Sequence, residues 1–214
     1  MYLHKTPSLI QRLFPDFWWK MDAGERVIYL TFDDGPIPGV TDWVLETLNQ
    51  YQAKATFFCV GDNVRKHPQV FEKLIIHGHS VGNHTFNHLN GWNTDTHLYL
   101  RNIDLCRESL KQAGSEKLFF RPPYGRMTRT QSRLVRQHYQ VVMWDVLTGD
   151  FDAGISPENC LRKSIQSSQN GSIVIFHDSL KAEKNLRYVL PRYLSHFAGK
   201  DYQFKALSAA SNLV

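Results

Sequence analysis

Seven short apolar runs, alternating with amphipathic stretches, restrict this chain to a small set of α/β architectures. The runs cover 27–32, 55–60, 80–83, 118–120, 140–146, 172–176 and, more weakly, 202–207. Several are β-branched and aromatic, and they end in Gly, Pro, Asp or His, as strands do. Between them Val40, Trp43, Val44, Thr47, Leu48 and Tyr51 recur at helical spacing. Tyr99, Ile103, Cys106 and Leu110 make a second stripe, closed by Gly114. Ser156-Pro157-Glu158 opens a third helix with an N-cap, a proline at the first helical position and an acid in the first turn. Leu186, Val189, Leu190, Tyr193, Leu194 and Phe197 form a fourth stripe, with a kink or break expected at Pro191. The alternation predicts a mostly parallel sheet with right-handed crossovers, and near-continuous apolar strands predict cover on both faces. A closed barrel and an open doubly wound sheet both satisfy the pattern. No GxGxxG or P-loop follows a strand, which argues against a nucleotide cofactor.

The 214 residues suit one domain. The net charge of +5 comes from basic residues that are scattered and form no run, so nucleic acid is not an expected partner. Cys59, Cys106 and Cys160 are widely spaced and odd in number, which fits small buried side chains in a reducing compartment. Residues 1–25 read as an amphipathic extension packed on a domain spanning 26–214. They lack the apolar core and cleavage site of a signal peptide, so the expected location is the cytoplasm or the inner face of the membrane. Leu9, Ile10, Leu13, Phe14 and Phe17 would offer that membrane a weak contact stripe.

The chemistry-bearing residues collect just after the strands. Asp33 and Asp34 follow the first, His84 and His88 the third, Arg121 the fourth, Asp150 the fifth and His177 the sixth. Parallel α/β folds converge these loops on one face, where their sites lie. Adjacent carboxylates at Asp33 and Asp34 repel and need a counter-charge, which a metal supplies. His84 and His88, four apart, share one face if they lie on a helical turn. With Asp34 they make a three-ligand N/O set with an open position, the form of a catalytic zinc site. In Arg121-Pro122-Pro123-Tyr124-Gly125 the prolines carry no amide N–H and stiffen the loop, so the Tyr124 amide is held in place as half of an oxyanion hole. A rigid turn with a surface arginine explains that loop equally well.

Together these motifs resemble the polysaccharide deacetylases, the fourth carbohydrate esterase family. The resemblance runs from Val27 onward through Thr31-Phe32-Asp33-Asp34-Gly35, His84-Thr85-Phe86-Asn87-His88, Arg121-Pro122-Pro123-Tyr124-Gly125, Asp150-Phe151 and Ile175-Phe176-His177-Asp178. It implies a distorted (β/α)₇ barrel and metal-dependent removal of N-acetyl groups from an amino sugar or N-acetylated glycan. It further implies Asp33 as general base and Asp34, His84 and His88 as ligands of a divalent metal, most naturally zinc. Arg121 would hold Asp33, the Tyr124 amide would stabilise the oxyanion, and His177 would be the general acid, tuned by Asp150. Tyr124, Phe151 and Ile175 would face the substrate. The chain departs from the family's Asp-x-x-Asp-Trp motif, which here reads Leu147-Thr148-Gly149-Asp150-Phe151. The alternatives are a cyclic imide or ureide amidohydrolase on the same fold, a catalytically silent carbohydrate-binding relative, and a non-enzymatic metal-binding or scaffolding protein.

Overall fold

The computed structural model describes residues 2–22, 24–111 and 118–208. In chain order these form α1 (Ser8–Leu13), β1 (Val27–Asp33), α2 (Val40–Gln50), β2 (Thr56–Cys59), α3 (Gly61–Lys66), α4 (Pro68–Ile76), β3 (Ser80–Asn83) and α5 (Thr96–Leu110). There follow β4 (Leu118–Phe120), α6 (Arg129–Val135), β5 (Tyr139–Val141), β6 (Val146–Leu147), α7 (Pro157–Ser167), β7 (Ile173–His177), α8 (Glu183–Ala198) and β8 (Gln203–Lys205).

The strands lie in the order β5-β4-β3-β2-β1-β7-β6, with β8 beside the first residues of β1, and every named pair is parallel. The two ends of that order are one stretch of chain. β5 pairs with β4, and Val142 N–H still donates to the Phe120 carbonyl at 2.9 Å. Three residues later Asp145 N–H donates to the Ile173 carbonyl at 2.9 Å, and β6 then pairs with β7. Segment 139–147 therefore joins both edges and curls the sheet into the distorted (β/α)₇ barrel, which excludes the open doubly wound alternative. The run read as one strand over 140–146 is two short strands because its pairing partner changes halfway.

Strand alternation decides what faces the site. Along β1, Ile28, Leu30 and Phe32 pack outward with α2 and α8 residues such as Val44, Leu48, Leu190 and Tyr193. Val27 and Tyr29 belong to a separate interior cluster with Phe58, Phe119, Val142 and Ile173. Continuing the period of two puts Thr31 and Asp33 on the interior side. Along β7, Val174 and Phe176 pack outward. Ile173 packs inward, so Ile175 and His177 share its side.

The helices begin and end much as their sequences dictate. Ser156 caps α7, its Oγ accepting from Asn159 N–H at 3.3 Å, with Pro157 at the first helical position. α8 does not break at Pro191 but runs through it. Buried Leu186, Val189 and Leu190 before it, and Tyr193, Leu194 and Phe197 after it, anchor both halves against the core and offset the missing backbone bond. The Gly114 stop for α5 lies outside the described residues.

The N-terminal segment lies along the barrel seam. Lys5 bridges Val146, Trp18 bridges Val142 and Lys20 bridges Ser172. Lys5 Nζ donates to the buried Asp145 carboxylate at 2.6 Å and to the Ser167 carbonyl at 2.9 Å. Trp19 is buried, whereas α1 buries no residue and leaves Leu9, Leu13 and Phe14 exposed. Cys59, Cys106 and Cys160 are free and buried. Among the described residues no helix is long and apolar enough to cross a membrane.

Candidate metal centre and catalytic cleft

The carboxyl ends of the strands open into a cleft of about 480 Å³ lined by Asp33, Asp34, His84, His88, Tyr124, Phe151, Ile175 and His177. All eight come from sequence motifs far apart in the chain. The neighbouring aspartates part company at the end of β1. Asp33 is 3% exposed and turned inward, where Arg121 Nη1 donates to its Oδ1 at 2.7 Å. Asp34 takes a left-handed backbone, φ 82°, which aims its side chain elsewhere. Its carbonyl accepts from Asn63 Nδ2 at 2.7 Å.

Gly35 makes that turn possible. A Cβ there would collide with the Asp178 carboxylate, which accepts from Gly35 N–H at 3.1 Å and from Thr41 Oγ1 at 2.6 Å. Asp178 is the residue after His177 and so points to the outer side, where burial, with the Asp34 charge adding to it, lifts its carboxyl to about 8. It fixes the loop that carries Asp34, and the carboxylate that binds His177 is Asp150.

His84 and His88 do not sit on a helical turn. β3 ends at Asn83, and the following loop contains two left-handed residues, Thr85 (φ 62°) and His88 (φ 55°). Buried amides hold this conformation. Asn83 Oδ1 accepts from Thr85 N–H at 2.9 Å, while its Nδ2 donates to the Ile103 carbonyl of α5 at 2.8 Å. Asn102 Oδ1 accepts from the amides of Phe86 at 2.8 Å and Asn87 at 2.9 Å. The imidazoles still meet, with ring centroids 5.1 Å apart. Among the described residues, Asp34, Thr85, His88 and Tyr124 are four of the six non-glycine residues with positive φ, so backbone strain concentrates at this site.

The donor set fits a divalent metal. Asp34, His84 and His88 each offer one ligand atom, all within 4.8 Å of one another. His88 Nε2 lies 3.2 Å and His84 Nε2 3.8 Å from Asp34 Oδ1. His84 Nδ1 donates to the Arg121 carbonyl at 2.7 Å, which leaves Nε2 as the lone-pair nitrogen facing the cleft. Burial lowers the His84 pKa to about 4, so its ring is neutral, the form that binds metal. Burial alone would raise the Asp34 pKa. The His88 hydrogen bond and the His177 charge override it and hold Asp34 well below the usual carboxylate range.

Arg121 is not a surface arginine. It is fully buried, and besides Asp33 it donates to Thr31 Oγ1 at 2.8 Å and to the carbonyls of Val142 at 3.1 Å and Met143 at 2.8 Å. Its guanidinium also stacks 4.1 Å from the Phe58 ring centroid. The counter-charge for Asp33 is thus a protein cation, whereas the Asp34 carboxylate lies with the two imidazoles.

Across the cleft, both oxygens of buried Asp150 bind His177: Oδ1 lies 2.8 Å from Nδ1, and Oδ2 accepts the backbone N–H at 2.8 Å. Burial opposes the charged imidazolium, but Asp150 outweighs it and lifts the His177 pKa to about 9. Phe151 meets the His177 ring edge-on at 5.0 Å, and Ile175 lines the same wall. Tyr124 sits in a short 3-10 turn with φ 61°, its ring 4.7 Å from His88. Sequence reasoning missed Asn83 and Asn102, which hold the histidine loop, and Tyr2, Arg126, Trp144 and Lys181, which also line the cleft. Arg126 directly follows the proline loop, but nothing in the local sequence marks Tyr2.

The polysaccharide deacetylase domain family matches residues 20–142. A peptidoglycan-N-acetylglucosamine deacetylase of Bacillus cereus is 31% identical over 192 residues, covering 89% of this chain and 90% of that one. A chitooligosaccharide deacetylase of Azorhizobium caulinodans is 33% identical over 163 residues, 74% of this chain and 77% of its own. The crystal structure of a peptidoglycan N-acetylglucosamine deacetylase superposes with a TM-score of 0.85 at 28% identity, covering 94% of this chain and 95% of that chain. With the barrel and the ordered motifs of its cleft, the chain belongs to the polysaccharide deacetylase family.

Proposed function

We propose that this protein is a metal-dependent hydrolase that removes the acetyl group from an N-acetylated amino sugar within a glycan, releasing acetate. The observation that carries this reading is the division of the aspartate pair: Asp34 joins two histidines, and Asp33 is held apart by Arg121. One carboxylate is then a ligand and the other is free to take a proton. The relatives that act on peptidoglycan and chitooligosaccharides support the substrate class.

Asp34, His84 and His88 would hold the metal, with zinc the natural occupant of an N₂O set open to a cleft. A divalent cation held there would supply Lewis acidity to the acetyl carbonyl and to a nearby water. Asp33 removes a proton from that water as it attacks the acetyl carbon. The Tyr124 amide, fixed behind two prolines, donates to the developing oxyanion. The C–N bond then breaks as His177 delivers its proton to the nitrogen, so the products are acetate and the free amine. An amine leaves poorly unless protonated, and the cationic His177 meets that need. Phe151 and Ile175 would wall the acetyl pocket. Asp33 and His177 together disfavour a silent binding protein, and the intact ligand set disfavours the imide and ureide hydrolases.

Purified protein is expected to release acetate from N-acetylated chitooligosaccharides or peptidoglycan fragments. Chelation should abolish the activity and zinc should restore it. Robust hydrolysis of cyclic imides with no acetate from any glycan would reject the reading.

The acid role predicts a pH profile. His177 works protonated, so the rate should fall as pH rises through about 9. Asp150→Asn removes the anion that lifts this pKa and leaves the burial that lowers it, so the alkaline limb should move toward neutral pH with metal content unchanged. An alkaline limb that stays in place would take the acid role away from His177.

A further inference from the structure

The segment before α1 is built into the cleft. The Tyr2 ring lies 5.3 Å from Phe151, and Phe151 in turn meets His177. Tyr2 lines the same cavity as the metal ligands and is only partly buried, so part of its surface stays open to a ligand. The position is anchored by the residues that follow it. His4 and Leu147 exchange hydrogen bonds: the His4 carbonyl accepts from Leu147 N–H at 3.0 Å, and His4 Nδ1 donates to the Leu147 carbonyl at 3.0 Å. Lys5 adds its ion pair with Asp145. Burial, with the Asp152 carboxylate adding to it, raises the Tyr2 pKa well above the usual phenol range.

Two residues of segment 147–151, Gly149 and Phe151, match this arrangement. Gly149 has φ 77°, and a Cβ at that position would run into the Tyr2 hydroxyl and ring. Phe151 is smaller than tryptophan, and the Tyr2 ring stands beside it. A segment that served only the seam would need Lys5, Trp18 and Lys20; it would not need an aromatic ring in the cleft.

We propose that Tyr2 is a substrate-contacting residue that, with Phe151, forms an aromatic wall for a pyranose ring of the bound glycan. Aromatic surface with a hydroxyl at its edge suits a sugar ring, which presents apolar C–H faces between polar edges. The inference rests on the deacetylase reading above and adds a specificity element delivered by the N-terminal segment.

The test measures kcat and KM for wild type, Tyr2→Ala and Tyr2→Phe on N-acetylated chitotetraose, on a peptidoglycan muropeptide and on 4-nitrophenyl acetate, which carries no sugar. Tyr2→Ala should raise KM for a glycan about tenfold, the equivalent of ~1.4 kcal/mol, with a much smaller change in kcat. Its loss on the glycan should exceed its loss on the small ester at least about fivefold. Tyr2→Phe keeps the ring and should retain most of the glycan affinity. Equal losses on glycan and ester, or an unchanged glycan KM in Tyr2→Ala, overturn the wall while leaving the deacetylase reading intact. Absence of acetate release from every glycan by the wild type overturns both.

Discussion

Asp33→Asn is expected to bind metal as the wild type does and to turn over glycan ~10²–10⁴-fold more slowly, the usual worth of a general base. The substitution is nearly isosteric. Its amide oxygen still accepts from Arg121 Nη1, which holds Asp33 Oδ1 at 2.7 Å, so the geometry survives while the proton acceptor is lost. Asp33 Oδ2 also lies 3.6 Å from His84 Nε2, close enough that the two roles need experimental separation. Asp34→Asn should show the opposite pattern. It replaces the only anionic member of the ligand trio with a weak neutral donor, so stoichiometric metal is lost first and activity with it. Metal content of the two purified variants, set beside acetate release, makes the comparison. Equal metal loss in both would mean that the aspartates share the ligand role, and the proposed base would have to be found elsewhere.

What could be read from the sequence, and what could not, follows from how far each signal reaches along the chain. Strand ends were legible because apolar runs and the polar residues that stop them are local. So Asp33, Arg121, Asp150 and His177 could be placed on one face before any coordinates. The aspartate pair could be seen as a charge problem, but its solution is long-range: Arg121 is 88 residues from Asp33, and no local pattern separates a buried guanidinium from a surface one. The histidine pair is legible in the sequence, but its conformation is not. Spacing of four suits a helix, whereas the real loop depends on Asn83 and on Asn102 of α5, a side chain that ties down the loop from another element. Segment 139–147 was visible as an apolar run, yet a change of pairing partner halfway leaves no mark on hydrophobicity. The proline in α8 gave a clear local warning, and tertiary packing overrode it. Tyr2 lies farthest from legibility, because long-range contacts such as the Lys5–Val146 bridge and the His4–Leu147 hydrogen bonds lay its segment on the seam.

The largest expected effect on stability belongs to Arg121, which joins base, barrel seam and interior core. Arg121→Met keeps much of the volume but strands the buried Asp33 carboxylate, and removing one partner of a buried ion pair costs ~3–5 kcal/mol. The same change frees the carbonyls of Val142 and Met143, where the chain passes from one edge of the sheet to the other. Denaturant unfolding of the double variant Arg121→Met, Asp33→Asn separates the two contributions. Neutralising Asp33 should restore ~1 kcal/mol or more, the range of coupling between contacting buried groups. The part not restored measures the seam. Arg121→Lys supplies a folded comparison for kinetics: it keeps a cation for Asp33 but cannot reach Thr31, Val142 and Met143 together, so activity should fall through misplacement of the base. A double variant as unstable as the sum of its single changes would make Arg121 a structural staple alone. The positioning of Asp33 would then have to rest on Thr31 and the strand itself.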